Sequence, residues 1–279
     1  MISETRQRFG RTETRVLSVP GDGTPIVLLH GYGDTADTWR RVLSRFEAAG
    51  RQAFAPDLPG FGYADARVDG PLLPQFDAFA DAVVEQSRSV VLLGNSLGAG
   101  TAVRAAARHP HAVKALVTLA DPLNTSHWLA RLIRGRPIPE RFWASVAQVP
   151  IPSSVLRGAT RLAAPRVLYG SGVAVDPKVI AQWTDSLTSA ADIAALGRYA
   201  FQYGHETRAG HHGIQVTCPT LIVHGARDRI VPVAASRLLH QQIPGSDFVV
   251  LPHSGHCPQL DNPSEVVRLT LRLLHEAPS

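Results

Sequence analysis

Residues 89–108 read Ser-Val-Val-Leu-Leu-Gly-Asn-Ser-Leu-Gly-Ala-Gly-Thr-Ala-Val-Arg-Ala-Ala-Ala-Arg. The first five (SVVLL) are apolar on successive rather than alternate positions, the pattern of a strand covered on both faces. The alanine-rich residues 97–108 predict a helix that stops before Pro110. Between them, Gly94-Asn95-Ser96-Leu97-Gly98 fits G-x-S-x-G in the strand-turn-helix setting which that motif requires. A nucleophile on so tight a turn has a strained backbone, and glycine on either side lets strand and helix approach closely. The helix N-terminus favours negative charge beside the serine. The plainer alternative is a serine helix cap with glycine neighbours. The buried strand in front of it favours a nucleophile at Ser96.

Working outward, similar apolar runs occur at residues 25–30 (PIVLLH), 115–119 (ALVTL), 220–224 (TLIVH) and 247–251 (DFVVL), with a weaker one at 52–56 (QAFAP). Helical patterns lie between them. Residues 36–49 put Trp39, Val42, Leu43 and Phe46 on one face and end at Gly50. Residues 76–86 do the same with Phe76, Phe79, Ala80 and Val83, and a last helix starts at Pro263 and Ser264. Alternating strand and helix imply an α/β fold, with a parallel sheet flanked by helices on both faces. Residues 10–19 are expected as an antiparallel edge hairpin. The alternation breaks at about residue 123 and resumes at about 216. That stretch is rich in proline, holds Trp128, Trp143 and Trp183, and shows no strong strand. It predicts a helical cap, residues 123–216, inserted into a core of residues 1–122 and 217–279.

Composition excludes several classes. The 279 residues are 44% hydrophobic and 18% charged, an ordinary globular balance. The net charge of +5 is nearly all arginine, spread along helices without basic runs interleaved with aromatics, so a nucleic-acid surface is not expected. Two cysteines, Cys218 and Cys257, do not make a disulfide framework. Residues 1–16 lack an apolar signal core and no stretch reaches membrane-span length. The expected location is the cytoplasm, as monomer or homodimer.

A serine hydroxyl needs a base. His256, in Ser254-Gly255-His256 just after the last strand, is best placed, with His253 as competitor. His109, His111, His240 and His275 read as surface or structural residues. The base needs a carboxylate to fix its tautomer. Asp228 follows the strand at 220–224, giving the order Ser96, Asp228, His256, the order of α/β-hydrolases. Asp121, after the strand at 115–119, is the alternative acid or a turn residue before Pro122. The oxyanion hole is expected from the backbone N–H of Leu97 and of Tyr32, in the loop His30-Gly31-Tyr32-Gly33-Asp34.

The segments HGYGD (30–34), DLPGFG (57–62), GNSLGA (94–99), HGARDRIVP (224–232) and SGHCPQLDNP (254–263) resemble the capped α/β-hydrolase family of esterases, lipases and C–C bond hydrolases. The resemblance covers almost the whole chain and is weakest across the cap. It implies an eight-stranded, mostly parallel sheet with the lid between strands six and seven, and structural roles for Asp57 and His30. Relatives of the haloalkane dehalogenase and epoxide hydrolase types carry aspartate at the nucleophile position, so Ser96 argues against both. The Gly-Asn-Ser elbow resembles the C–C hydrolases that act on meta-cleavage products. Those usually carry a different oxyanion loop and a tryptophan after the histidine, where this chain has Cys257, as many esterases do.

The remaining signals are weaker. His205-Glu206 with His211-His212 does not match H-E-x-x-H, and no metal is expected. Cys257 reads as a packing residue. The cap aromatics Trp128, Trp143, Trp183, Tyr199, Phe201 and Tyr203 read mostly as cap core, with one or two on the substrate wall. The sequence predicts a serine hydrolase of a hydrophobic carboxylic ester, working through an acyl-enzyme without cofactor. The alternatives are C–C hydrolysis, cofactor-free perhydrolase or haloperoxidase chemistry, and a ligand-binding receptor built on a hydrolase fold.

Overall fold

The structure is a computed structural model that describes residues 1–124, 135, 138–170, 172 and 174–276. Its eight strands are β1 (Ser3–Phe9), β2 (Thr12–Val19), β3 (Asp22–Leu29), β4 (Arg51–Pro56), β5 (Val90–Asn95), β6 (Val113–Leu119), β7 (Thr220–Gly225) and β8 (Asp247–Leu251). They form one sheet in the order β1-β2-β4-β3-β5-β6-β7-β8. β1 and β2, and β2 and β4, pair antiparallel. Every other neighbouring pair is parallel. The edge hairpin therefore begins at Ser3, not at residue 10 as expected. β1 is polar and exposed along most of its length (SETRQRF), so it carries no apolar run to read; its pairing with β2 makes it a strand.

The helices are α1 (Arg40–Ala48), α2 (Leu72–Ser87), α3 (Leu97–Arg108), α4 (Glu140–Ala147), α5 (Ser153–Leu168), α6 (Pro177–Ser186), α7 (Ala190–Glu206), α8 (Val233–Gln242), α9 (Pro258–Asp261) and α10 (Pro263–Glu276), with a 3-10 turn at Ala36–Trp39. Successive residues of each central strand go to opposite cores. Ile26, Leu28, Val91 and Leu93 join Val42 and Phe46 of α1 and Val266 of α10. Val27, Leu29 and Leu92 join Phe76 of α2 and Val103 of α3. Both faces are covered, so the strands must be apolar at every position.

Between β6 and β7 the described residues hold α4 to α7 and no strand. Side chains tie these helices to the core. Tyr203 of α7 meets the Phe76 ring edge-on at 6.3 Å. Glu206 accepts hydrogen bonds from Leu72 N (3.0 Å) and Leu73 N (2.7 Å). Helix α2 follows Pro71 and lacks a side-chain cap of its own, so a carboxylate 134 residues away serves its open N–H groups.

The loop after β4 is fixed from β2. Arg15 donates to Asp57 through Nε (2.9 Å) and Nη2 (3.3 Å) and to Asp37 through Nη2 (2.6 Å). The Asp57 side chain is fully buried, and it also accepts from Ala36 N and Tyr63 N. Removing one partner of a buried ion pair leaves the other uncompensated. Arg15→Met should therefore cost about 3–5 kcal/mol of unfolding free energy. Chemical denaturation reads this directly, and a loss under about 1 kcal/mol, the range of an exposed pair, would contradict it.

Candidate active site

Strand β5 runs into α3 through Ser96, whose backbone adopts φ 53°, ψ −115°. Such a conformation costs a non-glycine residue about 1–3 kcal/mol and persists only where its surroundings enforce it. Ser96 N donates to Leu119 O at 2.9 Å, pinning the turn to β6. The flanking glycines are obligatory. A Cβ on Gly94 would lie 2.3 Å from Gly98 O, and one on Gly98 would lie 2.2 Å from Leu29 O. Leu97 heads α3, so its N–H has no helical acceptor and is free to bind an anion.

The loop after β3 lies against this elbow. A Cβ on Gly31 would come within 3.4 Å of Ser96 Cβ. Residues 31–34 form a turn closed by Asp34 N to Gly31 O (3.3 Å), with Gly33 at φ +70°. His30 holds it: Nδ1 donates to Gly31 O (2.8 Å) and Nε2 accepts from Leu58 N (2.8 Å). Accepting at Nε2 requires a neutral ring, and full burial lowers its pKa accordingly.

Asp34, on the same turn, is 4% exposed. Burial, aided by the charges of Asp37 and Asp57, pushes its pKa up to about 7 against hydrogen bonds from Thr35 and Thr38. The folded state thus holds a proton that the unfolded state releases above about pH 4. The unfolded form binds fewer protons across that window, so stability falls as pH rises from about 4 to 7 and is level beyond. Asp34→Asn should remove this slope. Unfolding curves between pH 4 and 8 should show the variant gaining on the parent up to pH 7; parallel curves would contradict it.

Asp228 and His256 follow β7 and β8. His256 Nδ1 donates to Asp228 Oδ2 at 2.8 Å. Asp228 Oδ1 accepts from Ile230 N (2.8 Å) and Val231 N (2.9 Å). His224 Nε2 lies 3.3 Å from Oδ2. Burial would raise the Asp228 pKa, but the His256 charge and the hydrogen bonds from His224 and His256 outweigh it and hold the carboxyl well below its usual range. His224 donates through Nε2 to Val231 O (2.9 Å), so its Nδ1 accepts from Ser236 Oγ (2.7 Å).

Asn95 joins the elbow to the histidine loop. Its Nδ2 donates to His256 O (3.0 Å) and Leu119 O (3.2 Å), and its Oδ1 accepts from Gln259 Nε2 (3.2 Å). Asp261 accepts from Gly255 N (2.5 Å), and Cys257 N donates to Leu168 O of α5 (3.0 Å). Burial, with Asp34, Asp228 and Asp261 nearby, raises the Cys257 thiol well above its ordinary pKa, so it stays protonated. Among the described residues no hydrogen bond joins Ser96 Oγ to His256; the two loops meet through Asn95. Asn95 entered the sequence reading only as part of the Gly-Asn-Ser elbow, and His224, Gln259 and Asp261 were not singled out. The only local hint was His224, four residues before Asp228.

Other candidates are drawn elsewhere. Asp121 Oδ2 accepts from His211 Nε2 at 3.0 Å, and both side chains are buried. His253 is exposed and faces Arg227 at 3.4 Å. His205 Nδ1 bonds Gly135 O. Among the described residues no three of His, Cys, Asp and Glu cluster so as to hold a metal, and no helix is long and apolar enough to cross a membrane.

A cavity of about 860 Å³ opens beyond the Tyr32 turn. Tyr32, Phe61, Arg67, Val179, Trp183 and Tyr199 form much of its wall, and Ser96 and His256 do not line it. Tyr32 follows Gly31, the residue that lies against the elbow, and its hydroxyl donates to Leu196 O of α7 at 2.6 Å. Trp183 lies on this wall, against Gly33. Trp143 does not; it packs inside the cap on Phe142 and Phe201. Trp128 lies outside the described residues.

A family model described as alpha/beta hydrolase fold matches residues 24–263. The chain is 28% identical over 265 residues to a 2-hydroxymuconate semialdehyde hydrolase of Pseudomonas putida, covering 92% of this chain and 89% of that protein. It is 28% identical over 265 residues to a pimeloyl-[acyl-carrier protein] methyl ester esterase of Chromobacterium violaceum, covering 89% and 93%. The solved structure of a thermophilic esterase from Thermogutta terrifontis superposes with a TM-score of 0.70 at 22% identity, covering both chains completely.

Proposed function

The chain belongs to the alpha/beta hydrolase fold family, and from that premise we propose that it is a serine hydrolase that cleaves a hydrophobic carboxylic ester by two-step acyl transfer. Ser96 is the nucleophile, His256 the base and Asp228 its orienting acid; Tyr32 and Leu97 give the oxyanion N–H groups. The observation that carries the reading is the junction of two loops. Asn95, beside the strained Ser96, holds the backbone of His256, whose ring is bonded to Asp228 at 2.8 Å.

His256 Nδ1 donates to Asp228, so Nε2 bears the lone pair that removes the Ser96 proton. Ser96 Oγ attacks the ester carbonyl, and the two N–H groups bind the oxygen as it becomes negative. The protonated His256 gives its proton to the leaving alcohol as the acyl-enzyme forms. A water then loses its proton to His256 and attacks the acyl carbon; His256 returns that proton to Ser96 Oγ as the acyl bond breaks and the carboxylic acid leaves. The helices of residues 123–216 act as a cap over this site, with Trp183 on the substrate wall; Trp143 supports the cap from within.

The test has two parts. A fluorophosphonate probe should label the intact protein at Ser96, and a series of 4-nitrophenyl esters graded by acyl length should be hydrolysed with a preference for apolar chains. Absence of both labelling and ester turnover would overturn the reading in favour of a non-catalytic receptor. Turnover of a dienol-ketone above that of every ester would replace it with C–C hydrolysis.

A further inference from the structure

Arg67 occupies an unusual position on the cavity wall. Its guanidinium is sandwiched between two rings, 4.6 Å from the Phe61 centroid and 4.1 Å from that of Tyr199. Nη1 donates to Pro59 O (3.1 Å), and Nε is buried with no partner. The turn beneath is shaped around it: Gly60 has φ +71°, and a Cβ there would meet Arg67 Cζ at 2.8 Å. Stacking holds the side chain against the wall but leaves its charge unanswered, since ring faces supply far less than a carboxylate.

The other arginines around this part of the molecule have acidic partners. Arg15 and Arg40 hold Asp37, and Arg198 holds Glu140. Among the described residues Arg67 has no ion pair. Burial lowers its pKa, a hydrogen bond to the Tyr199 hydroxyl works against that, and Arg198 repels it. Among the described residues none of the five acidic groups on the same wall, Asp34, Asp37, Asp176, Asp185 and Asp192, pairs with Arg67, and three of them are engaged elsewhere. Asp37 is held by Arg15 and Arg40, Asp176 caps α6 through Lys178 N, and Asp192 closes the capping box of α7. A partly desolvated cation without a counter-ion is costly, and an anion arriving beside it recovers that cost.

We propose that Arg67, between Phe61 and Tyr199, is an anion subsite that recognises a carboxylate on the substrate remote from the bond being cleaved. Trp183, Val179 and Leu187 give the same wall an apolar stretch beside its polar and charged residues. The substrate class is then an ester or acyl compound with an apolar chain or ring ending in a free carboxylate. This rests on the hydrolase reading above and adds the end of the substrate opposite the reaction.

The test separates the two ideas. In calorimetry, 4-phenylbutyrate should bind the parent protein about tenfold or more tightly than its neutral isostere, 4-phenylbutanamide, as expected for one charge-assisted contact. Arg67→Gln should abolish that difference and Arg67→Lys should retain part of it. In kinetics, the ratio of kcat/KM for 4-nitrophenyl hemiglutarate over 4-nitrophenyl butyrate should fall in Arg67→Gln by a similar factor. Equal binding of acid and amide by the parent protein overturns the subsite, whatever the variants do. So does a preference that survives Arg67→Gln. Binding with neither labelling at Ser96 nor ester turnover would overturn the hydrolase reading and leave the subsite standing.

Discussion

Ser96→Ala should lower kcat for the best 4-nitrophenyl ester by about 10⁴-fold or more, leaving a residue of turnover from binding and the oxyanion N–H groups. The size follows from the role. Without the hydroxyl, the two-step route is lost and water must attack directly, while Leu97 N–H and the Tyr32 turn remain to polarise the carbonyl. KM should change little, because Ser96 stands at the turn and contributes little area to substrate binding. Stability should not suffer, since the strain at φ 53° is a property of the backbone that alanine inherits. Active-site titration with the fluorophosphonate probe should fall to zero with activity. A variant that retains a tenth of parental kcat would remove Ser96 from the mechanism.

Asp228→Asn should cost about 10⁴-fold in kcat at neutral pH. The surroundings dictate why. Ile230 N and Val231 N both donate to Oδ1, so asparagine must place its oxygen there and its NH₂ toward His256. His256 Nδ1 then has to accept, the ring proton moves to Nε2, and the face toward Ser96 becomes a donor that cannot take a proton. The ring is held where it was, in the wrong tautomer. NMR of the ring protons should show the exchange of Nδ1–H for Nε2–H. Asp228 has a depressed pKa in the folded state. Its ionised form therefore adds stability above the ordinary carboxylate pKa of about 4, and this is lost as pH falls further. The stability gap between parent and variant should accordingly narrow in acid. A variant with unchanged kcat would show that Asp228 does not set the tautomer.

Much of this was legible in the chain because it is local. The successive apolar residues of β3, β5, β6 and β7 record burial on two faces. The Gly94–Gly98 elbow records so close an approach of strand and helix that a Cβ on either glycine would fall 2.2–2.3 Å from a backbone oxygen. His256 and Asp228 could be named from their places after β8 and β7, since loops at that edge of a parallel sheet converge. The polar edge strand β1 was missed from Ser3 to Phe9 because exposed residues leave no period to read.

Sequence by itself determined the fold and which serine, histidine and aspartate are candidates, because strand burial, turn geometry and chain order are written in neighbouring residues. Tertiary structure alone decided the rest. It gave Asp121 to His211 and left Asp228 for His256. It made Asn95 the link between elbow and histidine loop. It sent Trp143 into the cap and Trp183 to the cavity, and it stranded the Arg67 charge between two rings. Each of these is a contact between distant segments. Its partner is selected by how helices pack and loops meet, for which no single stretch of chain carries a signal.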